Sequence, residues 1–459
     1  MDDIVSADRR YFFHPGTHAH DHAVGALQGR VIVQGKGIRL TDIEGRSYID
    51  GFAGLYCVNV GYGRTEIAEV LREQSERLSF YHTYLGNTNP PAAELSKCLI
   101  EEWAPPGMAK VFYGMSGSDA NDTQVKLVWY YNNVLGRKQK KKIIARQRGY
   151  HGSSIVTASL TGLPAFHANF DAPVDRILHT MCADFYRNAA DGMSEAAFTA
   201  QCVDVLEKLI LAEGPETVAA FIAEPVLGSG GIVPPPVGYW PAVQAVLRKY
   251  DILLIADEVV CGFGRLGAKT GCERYGIEPD LITVAKGLTS AYVPLSGVIV
   301  SEAVWQVILR GSREHGMMGH GWTYSGHPLG AAAALKNLEI MARERLIENA
   351  RDIGAYFLAR LQATFGDHPM IGNVRGVGLL LALEFMQDKR SRRPFPAGTK
   401  VSSRVVAASM NRGLIVRALG DDIVGFAPPL IVTRVDVDEM VAIICAAVED
   451  TAYQMASVD

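Results

Sequence analysis

The chain has 459 residues, 48% hydrophobic and 20% charged, a composition that fits a soluble globular protein too long for a single hydrophobic core. A net charge of −4 gives no electrostatic case for nucleic acid or an anionic membrane. No apolar run reaches the roughly 18 residues of a membrane span, and the start MDDIVSADRR lacks the pattern of a signal or transit peptide. Seven scattered cysteines without a Cys-x-x-Cys pair point to reduced thiols and a cytoplasmic location.

The first distinctive stretch is HPGTHAHDH. On an extended segment His18, His20 and His22 share a face that offers metal ligands. No cysteine or further ligand accompanies them, so a polar arm is expected and no metal is assigned. From Arg30 to Asp50 short β-type runs alternate with Gly-Lys-Gly and Asp-Ile-Glu-Gly turns, which predicts a small antiparallel meander. From about residue 65 helical stretches alternate with the apolar runs KVFYG, KKIIARQR, VAAFIAEP, DILLIADE and DLITVAKG. Strands separated by helical lengths predict parallel β-α units with helices on both faces of the sheet. The basic run from Arg137 to Lys142 precedes one of these strands and reads as a solvated turn. After about residue 326 a long helical stretch leads to a second α+β segment containing VRGVGLLLALEF and GLIVRALG.

Ligands of open α/β sheets sit beyond the carboxyl ends of the strands. The residues there are Gly114 to Ser118, Gly149-Tyr150-His151, Glu224-Pro225, Asp257-Glu258 and Lys286. Ser116-Gly117-Ser118 runs into a helix expected to begin near Asp119, and a helix N-terminus suits a phosphate. A plain serine N-cap explains the same residues. Asp257 closes an apolar strand, where a carboxylate needs a cationic partner: either Arg265 in a structural pair or a protonated ring nitrogen. Tyr150 is placed to stack on such a ring. Lys286, at the end of DLITVAKG, is either a surface ammonium or an amine nucleophile. Pyridoxal 5′-phosphate satisfies all these groups at once, with the lysine as its imine partner and the aspartate facing its pyridinium.

The segment ADEVVCGFGRLGAKTGCERYGIEPDLITVAKGL, with Lys286 placed 29 residues beyond Asp257, resembles the cofactor-attachment signature of class III aminotransferases. GFAGLYCVNVGYGR, YGMSGSDAND, GYHGSS, FIAEPVLGSGG, GWTYSGHP and VRGVGLLLALEF resemble family segments in the same order, nearly throughout the chain. The closest likeness is to the ω-amino acid:pyruvate and amine:pyruvate branch. The resemblance implies the fold type I architecture of pyridoxal-phosphate transferases. A large domain with a mostly parallel sheet, residues 61–325, is joined to a smaller α+β domain from both chain ends, 1–60 and 326–459. It implies a homodimer with a shared active site.

By the same resemblance Lys286 carries the imine and later shuttles the proton. Asp257 keeps the ring nitrogen protonated, and Val259, two residues along the same strand, packs against the ring opposite Tyr150. Gly117 and Ser118 hold the phosphate, and Thr323 reaches the phosphate of the neighbouring subunit's cofactor. Glu224 lies near the ring, or caps a backbone turn. Arg417 binds a substrate carboxylate as a buried guanidinium on a mobile Gly-Asp-Asp turn, and Tyr56 and Tyr84 line the substrate pocket, or serve the core. Gly16 departs from the bulky aromatic that close relatives carry after His-Pro, which implies a wider pocket mouth. The implied reaction moves an amino group from an ω-amino acid or amine to a keto acid, pyruvate by branch. Another class III activity (a 2-oxoglutarate-dependent aminotransferase, an aminomutase or a decarboxylating transaminase) and a cofactor-binding protein without turnover are the alternatives.

Overall fold

The computed structural model describes residues 2–27 and 29–456. A seven-stranded sheet has the order Met108–Gly114, Ser296–Ser301, Leu281–Val284, Leu253–Asp257, Val218–Ala223, Lys142–Arg146, Ile177–Thr180. Ser296–Ser301 is antiparallel to both neighbours, and the remaining pairs are parallel. The fold is thus α/β with a large mixed sheet, as its alternating pattern implied.

Every residue of Val218–Ala223 and Leu253–Asp257 is buried, because helices cover both faces. Strand parity decides what meets what. Leu253 and Ile255 pack on the side of helix Gly117–Val134, while Leu254 and Ala256 pack on the side of helices Glu195–Glu213 and Tyr239–Lys249. Asp257 continues the first series, so its carboxylate is delivered to the face covered by helix Gly117–Val134. Phe221 is fully buried in this frame, and truncating such a ring costs about 3–5 kcal/mol.

The meander forms as Ile32–Lys36, Arg39–Asp42 and Ser47–Asp50, antiparallel throughout. Its fourth strand comes from the far end of the chain: Leu414–Ile415 pairs parallel with Ser47–Asp50. A second small sheet has the order Ile371–Val377, Leu380–Phe385, Ile423–Phe426, Arg417–Leu419 and is antiparallel. The apolar run GLIVRALG is therefore split between two sheets, with Arg417 opening the second piece opposite Gly425.

The basic run is only partly solvated. Lys140 is buried and its Nζ donates to the Tyr250 carbonyl, while Lys142 opens a strand and pairs with Glu213. All seven cysteines are free thiols. Among the described residues no helix is long and apolar enough to cross a membrane.

Candidate active site

At the carboxyl ends of the parallel strands lies a cavity of about 320 Å³. Gly117, Ser118, Tyr150, Glu224, Asp257, Val259 and Lys286 all line it. Seven of the sequence-predicted site residues thus meet in one space.

The anion-seeking end is the start of helix Gly117–Val134. Ser116 is its N-cap: Ser116 Oγ accepts from Asp119 N, and Asp119 Oδ2 accepts from the amides of Met115 and Ser116. The helix begins two residues before the expected Asp119, because Asp119 closes this capping box. The cap leaves the Gly117 and Ser118 amides at the free, positive end of the helix. Gly152, at φ +133°, lets the neighbouring loop approach: a Cβ there would lie 2.5 Å from both Ser118 Oγ and Thr157 Oγ1. Ser118 Oγ then accepts from Ser153 N at 3.1 Å.

Asp257 is 3% exposed and is held by two neutral donors and one imidazole. Its Oδ2 meets His151 Nδ1 at 2.8 Å and accepts from Asn121 Nδ2 at 2.8 Å. Its Oδ1 accepts from Val259 N at 3.1 Å. Val259 is not on the strand, which ends at Asp257; a turn held by the aspartate's own oxygen places it. Arg265 is not the partner of Asp257. It is buried against the Leu379 and Pro428 carbonyls and Asn59 Oδ1, and burial lowers its pKa to about 10. Carboxylate oxygens accept more than one donor, so Asp257 retains capacity for a ring N–H.

Glu224 is buried, and burial raises its carboxyl above the ordinary range. Its two oxygens accept from Tyr150 N at 3.0 Å and Gly228 N at 2.7 Å. It thus fastens two loops to the cavity wall.

Lys286 makes no ion pair among the described residues and lines two chambers at once. The second, of about 480 Å³, is also walled by Tyr150, Tyr56, Arg148, Arg417 and Asp421. Tyr56 is buried, with its ring 4.4 Å from that of Phe52, and burial raises its phenol pKa. Arg417 corrects two expectations. Its side chain is exposed rather than buried, and its guanidinium lies 5.8 Å from the Phe52 ring with no ion pair among the described residues. The turn that follows is tied down: Asp421 lies 3.4 Å from Arg148 and 3.3 Å from Arg187, and Asp422 Oδ1 accepts from Ser402 N at 3.0 Å.

Tyr84 and Thr323 line neither chamber of their own chain. Tyr84 is 42% exposed and its hydroxyl packs on Gly321, two residues from the exposed Thr323. Gly16 lines neither chamber, and a Cβ there meets nothing within 4 Å. His18, His20 and His22 do not converge. Instead His14 and His22 each contact Asp8 at 2.9 Å, one on each oxygen.

Sequence reasoning named His151 only as a strand-end residue and Asp421 only as part of a turn, and it missed Asn121 and Arg148. Asn121 stands one helical turn beyond Gly117, and His151 is next to Tyr150. Tyr56, Arg148, Lys286 and Asp421 are among the non-glycine residues with positive φ, at +64°, +67°, +45° and +63°. Left-handed conformation in residues of these kinds costs of order 1–3 kcal/mol each and concentrates at functional sites.

A helix N-terminus, a buried carboxylate with spare acceptor capacity, an apolar wall at Val259, a tyrosine and an unpaired lysine fit a phosphorylated pyridine aldehyde. Comparison with known proteins agrees. The model of the Aminotransferase class-III family matches residues 20–448. The chain is 59% identical over 443 residues to a diaminobutyrate–2-oxoglutarate transaminase of Halomonas elongata, covering 96% of this chain and 94% of that one. It is 65% identical to a chain from the directed evolution of transaminases by ancestral reconstruction, with a TM-score of 0.98 and 99% of each chain covered. It is 42% identical to the ω-transaminase of Pseudomonas jessenii in complex with PMP, with a TM-score of 0.96 and 98% of each chain covered. The chain belongs to the class III aminotransferases and is, with them, an enzyme that uses pyridoxal 5′-phosphate.

Proposed function

We propose that the enzyme transfers an amino group from an ω-amino acid or an amine to a monocarboxylic keto acid, pyruvate first among them. The observation that carries this reading is the position of Lys286 between two chambers. One suits the cofactor, and the other holds the exposed, unpaired Arg417. Pyridoxal 5′-phosphate supplies an aldehyde that captures amines and a ring that accepts electrons. The Gly117 and Ser118 amides hold its phosphate at the helix end. Asp257, with His151 and Asn121 behind it, holds the proton on the ring nitrogen. Val259 and Tyr150 confine the ring from its two faces, and Glu224 fixes the Tyr150 loop.

Lys286 Nζ, which faces both chambers, would take the proton from the substrate carbon that bears the amino group, general acid–base work at short range. Arg417 offers a two-point grip to a substrate carboxylate. Tyr56 shapes the chamber beside it. Thr323 and Tyr84 sit on a surface that we assign to the active site of the partner subunit in a homodimer. Seven unpaired thiols suit a cytoplasmic enzyme.

The Halomonas elongata relative supports a second reading, in which 2-oxoglutarate is the acceptor. A donor panel of ω-amino acids, diamines and simple amines, run with pyruvate and 2-oxoglutarate in parallel, decides between them. Alanine formation in excess of glutamate supports the first reading, and the reverse order overturns it.

A further inference from the structure

The substrate chamber is walled by two guanidiniums, those of Arg148 and Arg417. They are not equivalent. Arg417 has no ion pair among the described residues. Arg148 has two: Asp184, 1% exposed, at 2.8 Å, and Asp421 at 3.4 Å. The Asp184 pair uses Nη1, whereas Nη2 is buried and makes no hydrogen bond, so only the nearby charge of Asp421 compensates it. Asp421 is not a loose surface residue. Arg187 holds both its side chain and its carbonyl, and Arg187 is itself anchored on the fully buried Glu384 at 2.6 Å.

A keto acid with one carboxylate needs one guanidinium, and Arg417 is free to provide it. A keto diacid needs a second, and among the described residues Arg148 is the only other in this chamber. Asp421 lies against the Nη2 of Arg148 that makes no hydrogen bond, and so occupies that second site. We infer that Asp421 is a specificity-determining residue: by occupying Arg148 it restricts the chamber to monocarboxylic acceptors. The inference rests on the reading of Arg417 as the carboxylate site.

Asp421→Asn isolates the charge. Asparagine tolerates φ of +63° and leaves the carbonyl that Arg187 grips. A half-exposed pair of this kind has a modest effect, so the ratio of kcat/KM for 2-oxoglutarate over that for pyruvate should rise about tenfold. The gain should disappear in Asp421→Asn/Arg148→Gln. An unaltered ratio in the single variant, or a gain that persists in the double one, overturns the inference. Competition against pyruvate by glutarate and by propionate gives a second measurement that needs no folded double variant. Asp421→Asn should tighten glutarate about tenfold relative to propionate, and equal shifts of the two inhibitors overturn the inference. Failure of propionate to compete in the unaltered enzyme removes the Arg417 reading, and this inference with it, and so differs from a failure of Asp421 alone.

Discussion

His151 Nδ1 lies 2.8 Å from Asp257 Oδ2, and both side chains are buried where the central strand ends. The contact belongs to a buried polar network that runs on through Asn121 to Thr283 and Gln124. Such a network fixes the orientation of the carboxylate and keeps its remaining lone pairs on the cavity side. Asp257→Asn retains size but loses the charge that holds a proton on the cofactor ring. Amino transfer should fall by about a hundredfold or more, measured as single-turnover reaction with an amine donor. A loss of less than about threefold would assign Asp257 to packing alone.

Arg417 should separate the two half-reactions. A hydrogen-bonded pair with a charged group contributes about 1.5–3 kcal/mol. Arg417→Ala should therefore slow the reaction of pyruvate with the aminated enzyme by roughly 10- to 150-fold. The reaction of an uncharged amine with the other form should change little. Equal losses in both would make Arg417 a structural residue.

Thr323 tests the assembly. Its exposure and its absence from the lining of either chamber of its own chain motivate the assignment to a neighbouring subunit. Thr323→Ala should weaken cofactor retention on dialysis by roughly tenfold, the effect of one hydrogen bond to a charged group. A fully active monomer by sedimentation at assay concentration would refute the shared site.

Glu258 carries a pH signature of the fold. It is fully buried, it accepts from Gly271 N at 2.9 Å and Cys272 N at 2.6 Å, and burial raises its pKa above the ordinary 4.5. A raised folded-state value means that its contribution is complete below the unfolded pKa and is lost as pH rises through the folded one. The Tm advantage of the native enzyme over Glu258→Gln should be largest near about pH 4.5 and shrink toward neutrality. An advantage that grows with pH would contradict the assignment.

Much of this site was legible because its chemistry stands at strand ends. DILLIAD and DLITVAKG announce buried strands and leave Asp257 and Lys286 at their exits. The strands Ile177–Thr180 and Ser296–Ser301 were harder to see. The first is a four-residue sheet edge, and the second follows directly on the Lys286 turn rather than on a helix. The pairing of Arg148 with Asp421 was invisible for another reason: it joins residues 273 positions apart, which no local pattern reveals. Arg417 was expected inside because the resemblance gives it a substrate carboxylate to bind. The break at Val416 sends the second half of GLIVRALG to another sheet and turns the guanidinium outward.

The claim on which the account depends is that Lys286 is the amine joined to the cofactor. Reducing the purified holoenzyme with sodium borohydride fixes that bond, and peptide mass spectrometry locates the pyridoxyl group. The account predicts one pyridoxyl group per chain, on the peptide containing Lys286, and none in Lys286→Ala, whose far-ultraviolet circular dichroism should match that of the native enzyme. A pyridoxyl group on any other lysine, or an unlabelled native enzyme that retains full transaminase activity, would contradict it.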